Sequence, residues 1–191
     1  MALHPKLEKA AGLYSLPNDD TAQLAFAAVA GCLIKEACRK MPRLFRRMEA
    51  AGKLTAIDVG CGYFRYGVAL KAVLSSINPN NEIYAVDRER LKANYPAALF
   101  VKADIAEFPG KYPKVRPDIV TVFNPFPRIP KLPTAFCAPV MLGCVDWNRK
   151  FFEESLEENG YRPLVWMENR WKREMEPWFN NYDPFVLAVR K

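Results

Sequence analysis

"TAIDVGCGYFRYG", residues 55 to 67, holds three of the chain's nine glycines directly after an acid that closes an apolar run. The residues before the glycines are apolar and β-prone, and those after them, "YGVALKAVLSSI", are apolar at helical spacing. The stretch therefore predicts a strand that turns sharply into a helix. Glycine in such a turn reaches left-handed backbone angles and keeps side-chain bulk away from whatever lies over it, which suits a nucleotide-like ligand carried close to backbone.

Downstream, the same alternation repeats. "EIYAVD" (82 to 87), the charged helical "RERLKANY" and "ALFVKAD" (98 to 104) follow, and three strand-helix steps of this kind predict a parallel sheet with helices on its faces. "DIVTVFNPF" (118 to 126) and "PVMLGCVD" (139 to 146) supply a fourth and a fifth strand, separated by a proline-rich loop. A helix, "WNRKFFEESLEENG", closes at Gly160, and "YRPLVWME" and "DPFVLAVRK" follow as two strands joined by the Trp-rich segment 169 to 182. With no parallel crossover between them, one strand runs antiparallel in a sheet of seven.

Upstream, "TAQLAFAAVAGCLI" (21 to 34) is too short to span a bilayer, and Asp19 and Asp20 stand where a secretory signal is basic. Asp20 or Thr21 reads as its N-cap, and apolar residues at helical spacing predict an amphipathic helix leading into the domain. Residues 1 to 53 thus read as an N-terminal helical extension and 54 to 191 as one domain. Half of the 191 residues are hydrophobic, enough for a substantial core. Five cysteines without a Cys-x-x-Cys pair, and a single histidine, His4, suggest neither a disulfide framework nor a metal site. The cysteines read as small buried apolar residues in a reducing cytoplasm. Scarce histidine also removes Ser-His-Asp and Cys-His catalysis.

"IDVGCG" ending the first strand, Asp87 ending the second, Asp104 ending the third and "FNPFP" ending the fourth, in a seven-strand chain closed by a hairpin, resemble the class I S-adenosylmethionine-dependent methyltransferases over residues 54 to 191. The resemblance implies an α/β fold, a single Rossmann-like doubly wound sheet. A dinucleotide-binding Rossmann domain uses similar glycines, but its third glycine falls at Arg65. At Phe64 the chain departs from the methyltransferase pattern, which often has glycine there. In an open α/β sheet, residues ending the strands converge on one crevice. The resemblance then implies that S-adenosylmethionine lies over Gly60, Cys61 and Gly62, with Asp58 near its amino group, Asp87 on the ribose diol with Arg88 beside it, and Asp104 and Ile105 at the adenine. Asp104 reads equally as a cap of the following helix.

Residues at the end of strand four face the methyl group in this fold, so Asn124, Pro125 and Phe126 are the expected catalytic residues, Asn124 also bordering the cofactor, and Phe126, Arg128 and Lys131 the expected substrate contacts. Asn124 and Pro125 resemble the start of the Asp/Asn-Pro-Pro-aromatic block of amino-methylating enzymes. Asn-Pro-Phe-Pro-Arg is also similar to the Asp-Pro-Trp-Pro-Lys block of tRNA guanine-N7 methyltransferases. Both imply a planar nitrogenous target. The net charge of +7 suits a phosphate backbone, RNA or DNA, with basic residues clustered from Lys35 to Arg47 and again around Arg128, Lys131, Arg170, Lys172 and Arg173. Methylation of a nucleic-acid base, RNA favoured, is the expectation; an amine on a small molecule or protein, or a catalytically silent RNA-binding module, are the alternatives.

Overall fold

The computed structural model describes residues 9, 12–13, 21–62, 66–89, 98–123, 129–144, 149–167 and 185–191. Its centre is the strand read first. All six residues of β1 (Leu54–Val59) are buried, as a strand covered on both faces must be. Alternate side chains divide between two apolar layers. Leu54 and Ala56 join one, with α1 (Thr21–Lys40), α2 (Pro42–Ala50) and α3 (Gly67–Ser75); Ile57 and Val59 join the other, with α4 (Phe108–Lys111) and α5 (Arg149–Glu158). The same parity divides β2 (Asn81–Asp87), β4 (Ile119–Phe123), β5 (Val140–Cys144) and β7 (Phe185–Arg190).

With β3 (Leu99–Lys102) and β6 (Tyr161–Trp166), the sheet has seven strands in the order β3-β2-β1-β4-β5-β7-β6. β1 to β5 are parallel, and β7 runs antiparallel between β5 and β6. The chain moves outward from β1 in one direction through β2 and β3, then in the other through β4 and β5. The switch point therefore lies between the carboxyl ends of β1 and β4, where open α/β sheets bind ligands.

Three expectations change. The helix from residue 21 is not amphipathic in its first half: residues 23 to 30 are all buried. Alanines on every side of Leu24, Phe26 and Val29 make it apolar all round, and such a helix is covered all round. It belongs to the main core, Phe26 stacking on Tyr66 (5.1 Å) and meeting Phe123 (5.0 Å) and Phe185 (5.9 Å) edge on. Its one polar residue there, Gln23, accepts a hydrogen bond from the Ala69 N–H in the first turn of α3 at 2.9 Å. Second, β3 ends at Lys102, so Asp104 stands in the turn beyond it. Third, of the five cysteines only Cys144 is buried; Cys32, Cys38 and Cys61 are half-buried, and Cys137, in the loop before β5, is exposed.

At the amino edge, Asn78 closes α2 onto the approach to β2. It is buried, and its Nδ2 donates to the carbonyls of Met48 (3.0 Å) and Ala51 (2.8 Å) while its Oδ1 accepts from the Asn80 N–H (2.9 Å). One side-chain amide thus adds a donor to the Met48 carbonyl, which also accepts from the Ala51 N–H at 3.4 Å, and satisfies the Ala51 carbonyl beyond the helix end. Among the described residues no helix is long and apolar enough to cross a membrane.

Candidate functional site

The turn after β1 is built as its glycines require. Gly60 and Gly62 have φ of +67° and +50°, left-handed values that side-chain-bearing residues rarely adopt. The N–H groups of Gly60 and Cys61 both donate to the Val86 carbonyl, at 2.9 and 3.2 Å, extending the β1–β2 ladder past the strand end. A Cβ on either glycine would meet no atom of the described residues within 4 Å.

Asp87, the last residue of β2, fixes this turn from beneath. Its Oδ2 accepts from the Gly62 N–H and its Oδ1 from the Glu89 N–H, both at 3.0 Å. Each carboxylate oxygen has two acceptor directions, so beside these described partners one on each is left for a ligand diol.

Asp58 is 3% exposed and lies opposite Thr121 in the parallel β1–β4 register. Thr121 Oγ1 donates to Asp58 Oδ1 at 2.5 Å. Burial pushes the Asp58 carboxyl up to about 7, the threonine hydrogen bond opposes this, and the charge of Asp87 adds to it. Among the described residues no Lys or Arg forms an ion pair with Asp58. Burial and the carboxylates of Asp58 and Asp87 push the Cys61 thiol far up as well, which favours the neutral thiol over the thiolate.

Asp104 stands in a different environment. Its Oδ1 accepts from the Ala106 N–H at 2.8 Å and its Oδ2 pairs with Arg88 Nη2 at 2.6 Å. The first of these bonds holds its carboxyl below the usual range, and Arg88 adds to that. Both its oxygens have partners, as in the capping role; the Arg88 side chain is 76% exposed. Ile105 turns its side chain into the second apolar layer and is 7% exposed.

Thus Asp58, Gly60, Cys61, Gly62 and Asp87 are brought together around one turn, with Arg88 and Asp104 joined at the neighbouring strand end. Asn124, Pro125, Phe126 and Arg128 lie outside the described residues, as do Arg170, Lys172, Arg173 and the charged stretch after Arg88 from residue 90. Lys131 is exposed and is placed elsewhere: the loop after β4 must return to the amino edge before β5 begins, and the Leu132 N–H already bonds Asn159 Oδ1 (2.7 Å) beyond the end of α5. Thr121 is the residue of this site that sequence reading misses. A hydroxyl inside an apolar strand run is the available signal, since a buried hydroxyl needs a partner. Among the described residues no group of three or more His, Cys, Asp or Glu side chains is arranged to hold a metal ion.

No protein-family model matches the sequence, and no curated protein matches it. Solved structures do. The chain is similar to the CurJ carbon methyltransferase at 15% identity, covering 89% of this chain and 57% of that one with a TM-score of 0.54. It is also similar to precorrin-6y C5,15-methyltransferase from Geobacter metallireducens GS-15 (15% identity, 80% and 88% covered, TM-score 0.48). A third is the plantazolicin methyltransferase BpumL in complex with a monoazolic desmethylPZN analog and SAH (9% identity, 98% and 91% covered, TM-score 0.46). With its strand order, single antiparallel strand and glycine turn at the switch point, the chain has the Rossmann-like fold of the class I S-adenosylmethionine-dependent methyltransferases.

Proposed function

We propose that this protein is an S-adenosylmethionine-dependent methyltransferase acting on a nitrogen of a nucleic-acid base, RNA before DNA. The observation that carries the cofactor is the turn: two left-handed glycines with no described side chain over them, beside a buried carboxylate that has no cation partner among the described residues. A cationic ligand group fits that carboxylate, because a buried charge is tolerated when paired. S-adenosylmethionine, when bound, supplies a methyl group already activated by its sulfonium.

The chain's own part is then positioning. Asp58 receives the ammonium of the methionine end, oriented by Thr121. Asp87 accepts from the ribose hydroxyls with the acceptor directions its backbone partners leave over. Arg88, Asp104 and Ile105 border the adenine end. At the end of β4, Asn124 accepts a hydrogen bond from an exocyclic amine and Phe126 stacks on the base, while Arg128 holds phosphate. The charge of +7 favours a polyanionic substrate.

The deciding experiment incubates the protein with radiolabelled methyl donor and separated pools of RNA, DNA, protein and metabolites. Label in RNA supports the reading, and label confined to protein or metabolites overturns it. Within an RNA activity, Asn124→Ala should lower kcat and spare cofactor affinity if the target is an exocyclic amine, because that bond tightens in the transition state. If the target is a ring nitrogen, the loss should fall on substrate affinity instead. Phe126→Ala should weaken substrate binding by roughly 1 to 3 kcal/mol. Full activity in both variants removes residues 124 to 128 from the site.

A further inference from the structure

The crevice occupies the carboxyl edge of the sheet, but the densest charge lies away from it. Residues 35 to 50, "KEACRKMPRLFRRMEA", carry six cations against two carboxylates, so that +4 of the chain's +7 sits in sixteen residues. Burial determines where they point. α2 buries Leu44, Phe45 and Met48 and leaves Arg43, Arg46 and Arg47 exposed together on its outer side. On the second half of α1, Lys35, Arg39 and Lys40 are exposed. Lys35, Arg39 and Lys40 also line a groove of about 650 Å³ between α1 and the edge strand β6, walled by apolar residues such as Leu33 and Val165.

Few of these charges are balanced among the described residues. Arg39 pairs with Glu36 at 3.4 Å, and Lys40 Nζ donates to the Leu164 carbonyl at 3.2 Å. Lys35, Arg43, Arg46 and Arg47 have no ion pair among the described residues. Helix dipoles explain only part of the pattern. Arg39 and Lys40 complement the C-terminus of α1, but Arg43 stands in the first turn of α2, which has no acid there, against the positive end of that helix. Charges kept in an unfavourable local position point to a partner that is itself charged.

We propose that the second half of α1 and the outer side of α2 form a docking track for the phosphate backbone of a folded RNA, whose target base enters the crevice. This rests on the RNA reading of the site. A membrane surface fits less well: among the described residues the exposed large apolar side chains are Leu13, Val68, Leu99 and Phe151, none of them on α1 or α2. Lipid-surface helices expose apolar side chains beside their cations. The track also sets a length. α1 runs from Thr21 to Lys40, its 20 residues spanning about 30 Å, and Gln23 in its first turn is bonded to α3 just after the glycine turn. A mononucleotide or very short oligonucleotide cannot reach both ends, so such substrates have far poorer kcat/KM than folded RNA.

The test titrates the full chain into a labelled folded RNA of transfer-RNA size at several salt concentrations. R43Q/R46Q/R47Q should weaken binding about tenfold or more, and the slope of log affinity against log salt should fall by about 0.7 to 0.9 for each phosphate no longer neutralised. R43K/R46K/R47K, which keeps the charge, should bind like wild type, and the affinity of both variants for S-adenosylmethionine should be unchanged. Equal RNA affinity and salt slope in wild type and the Gln variant overturn the track, as does tighter binding to phosphatidylserine vesicles than to RNA. If wild type methylates RNA and the Gln variant does so with the same kcat/KM, the track fails and the substrate reading stands. If the Gln variant loses RNA binding but no RNA is ever methylated, the substrate reading fails and the track stands.

Discussion

Asp58 and Asp104 are the same residue type near the carboxyl ends of β1 and β3, two strands of one sheet with β2 between them, yet they live under opposite electrostatics. Asp58 is shut into the apolar layer with a threonine for a partner, and its carboxyl is pushed up to about 7. Asp104 is in the turn after β3, bonded to a backbone N–H and to Arg88, and its carboxyl is held low. Topology brings an acid to the crevice, but burial and hydrogen bonding decide whether that acid is ready for a cation or already has one.

Asp58→Asn tests the contrast most severely. A carboxyl whose value in the folded state lies above its unfolded one favours folding while both forms are protonated, below about pH 4. That stability is lost as pH rises towards about 7, where the folded carboxyl ionises too. The neutral amide should therefore stabilise the ligand-free protein near pH 8 by on the order of 2 to 4 kcal/mol and leave it nearly unchanged near pH 4. It should also weaken S-adenosylmethionine binding. Denaturant unfolding across that range reads the first effect, and a flat difference would mean that Asp58 is not stranded.

Asp87→Ala comes next. Loss of a charge-assisted acceptor should cost S-adenosylmethionine affinity roughly 1.5 to 3 kcal/mol by calorimetry. Unchanged binding would mean that Asp87 only braces the Gly62 turn. Thr121→Val should destabilise the protein near pH 8 by roughly 1 to 2 kcal/mol, because the ionised Asp58 loses its donor, while Thr121→Ser retains most of the stability. Equal unfolding midpoints for all three proteins would remove Thr121 from the site. The smallest effect belongs to Arg88→Ala, an exposed pair whose loss should cost at most about 0.5 kcal/mol. A loss well above about 1 kcal/mol would make Asp104 as dependent on its partner as a buried acid, and the comparison would collapse.

The strands were legible because their chemistry is local. "LTAIDV" and "EIYAVD" carry β-prone apolar residues up to an acid, and glycine marks where β1 turns. The antiparallel β7 followed from a missing crossover. What escaped depended on long-range partners. Helical spacing places Leu24, Ala28 and Cys32 on one stripe, but it takes α3 together with β6 and β7 to cover the alanines on the other sides of α1. Thr121 reads as one more β-branched residue until the register sets it opposite Asp58. Asp104 falls short of its role as a strand end because its own carboxylate ends the extended run by bonding the Ala106 N–H. Nearness in sequence to Arg128 suggests the mouth for Lys131, but a parallel crossover carries that loop to the opposite edge.

The Asn78 clasp has a consequence for how the protein ages. Asparagine deamidates when the backbone nitrogen of the next residue attacks its side-chain amide, and that nitrogen must give up a hydrogen to close the ring. The next residue is Pro79, whose nitrogen has none. The buried amide that holds the end of α2 against the approach to β2 is therefore protected by its neighbour from becoming an acid. Were it to become one, the donor that satisfies the carbonyls of Met48 and Ala51 would be replaced by a negative charge facing both.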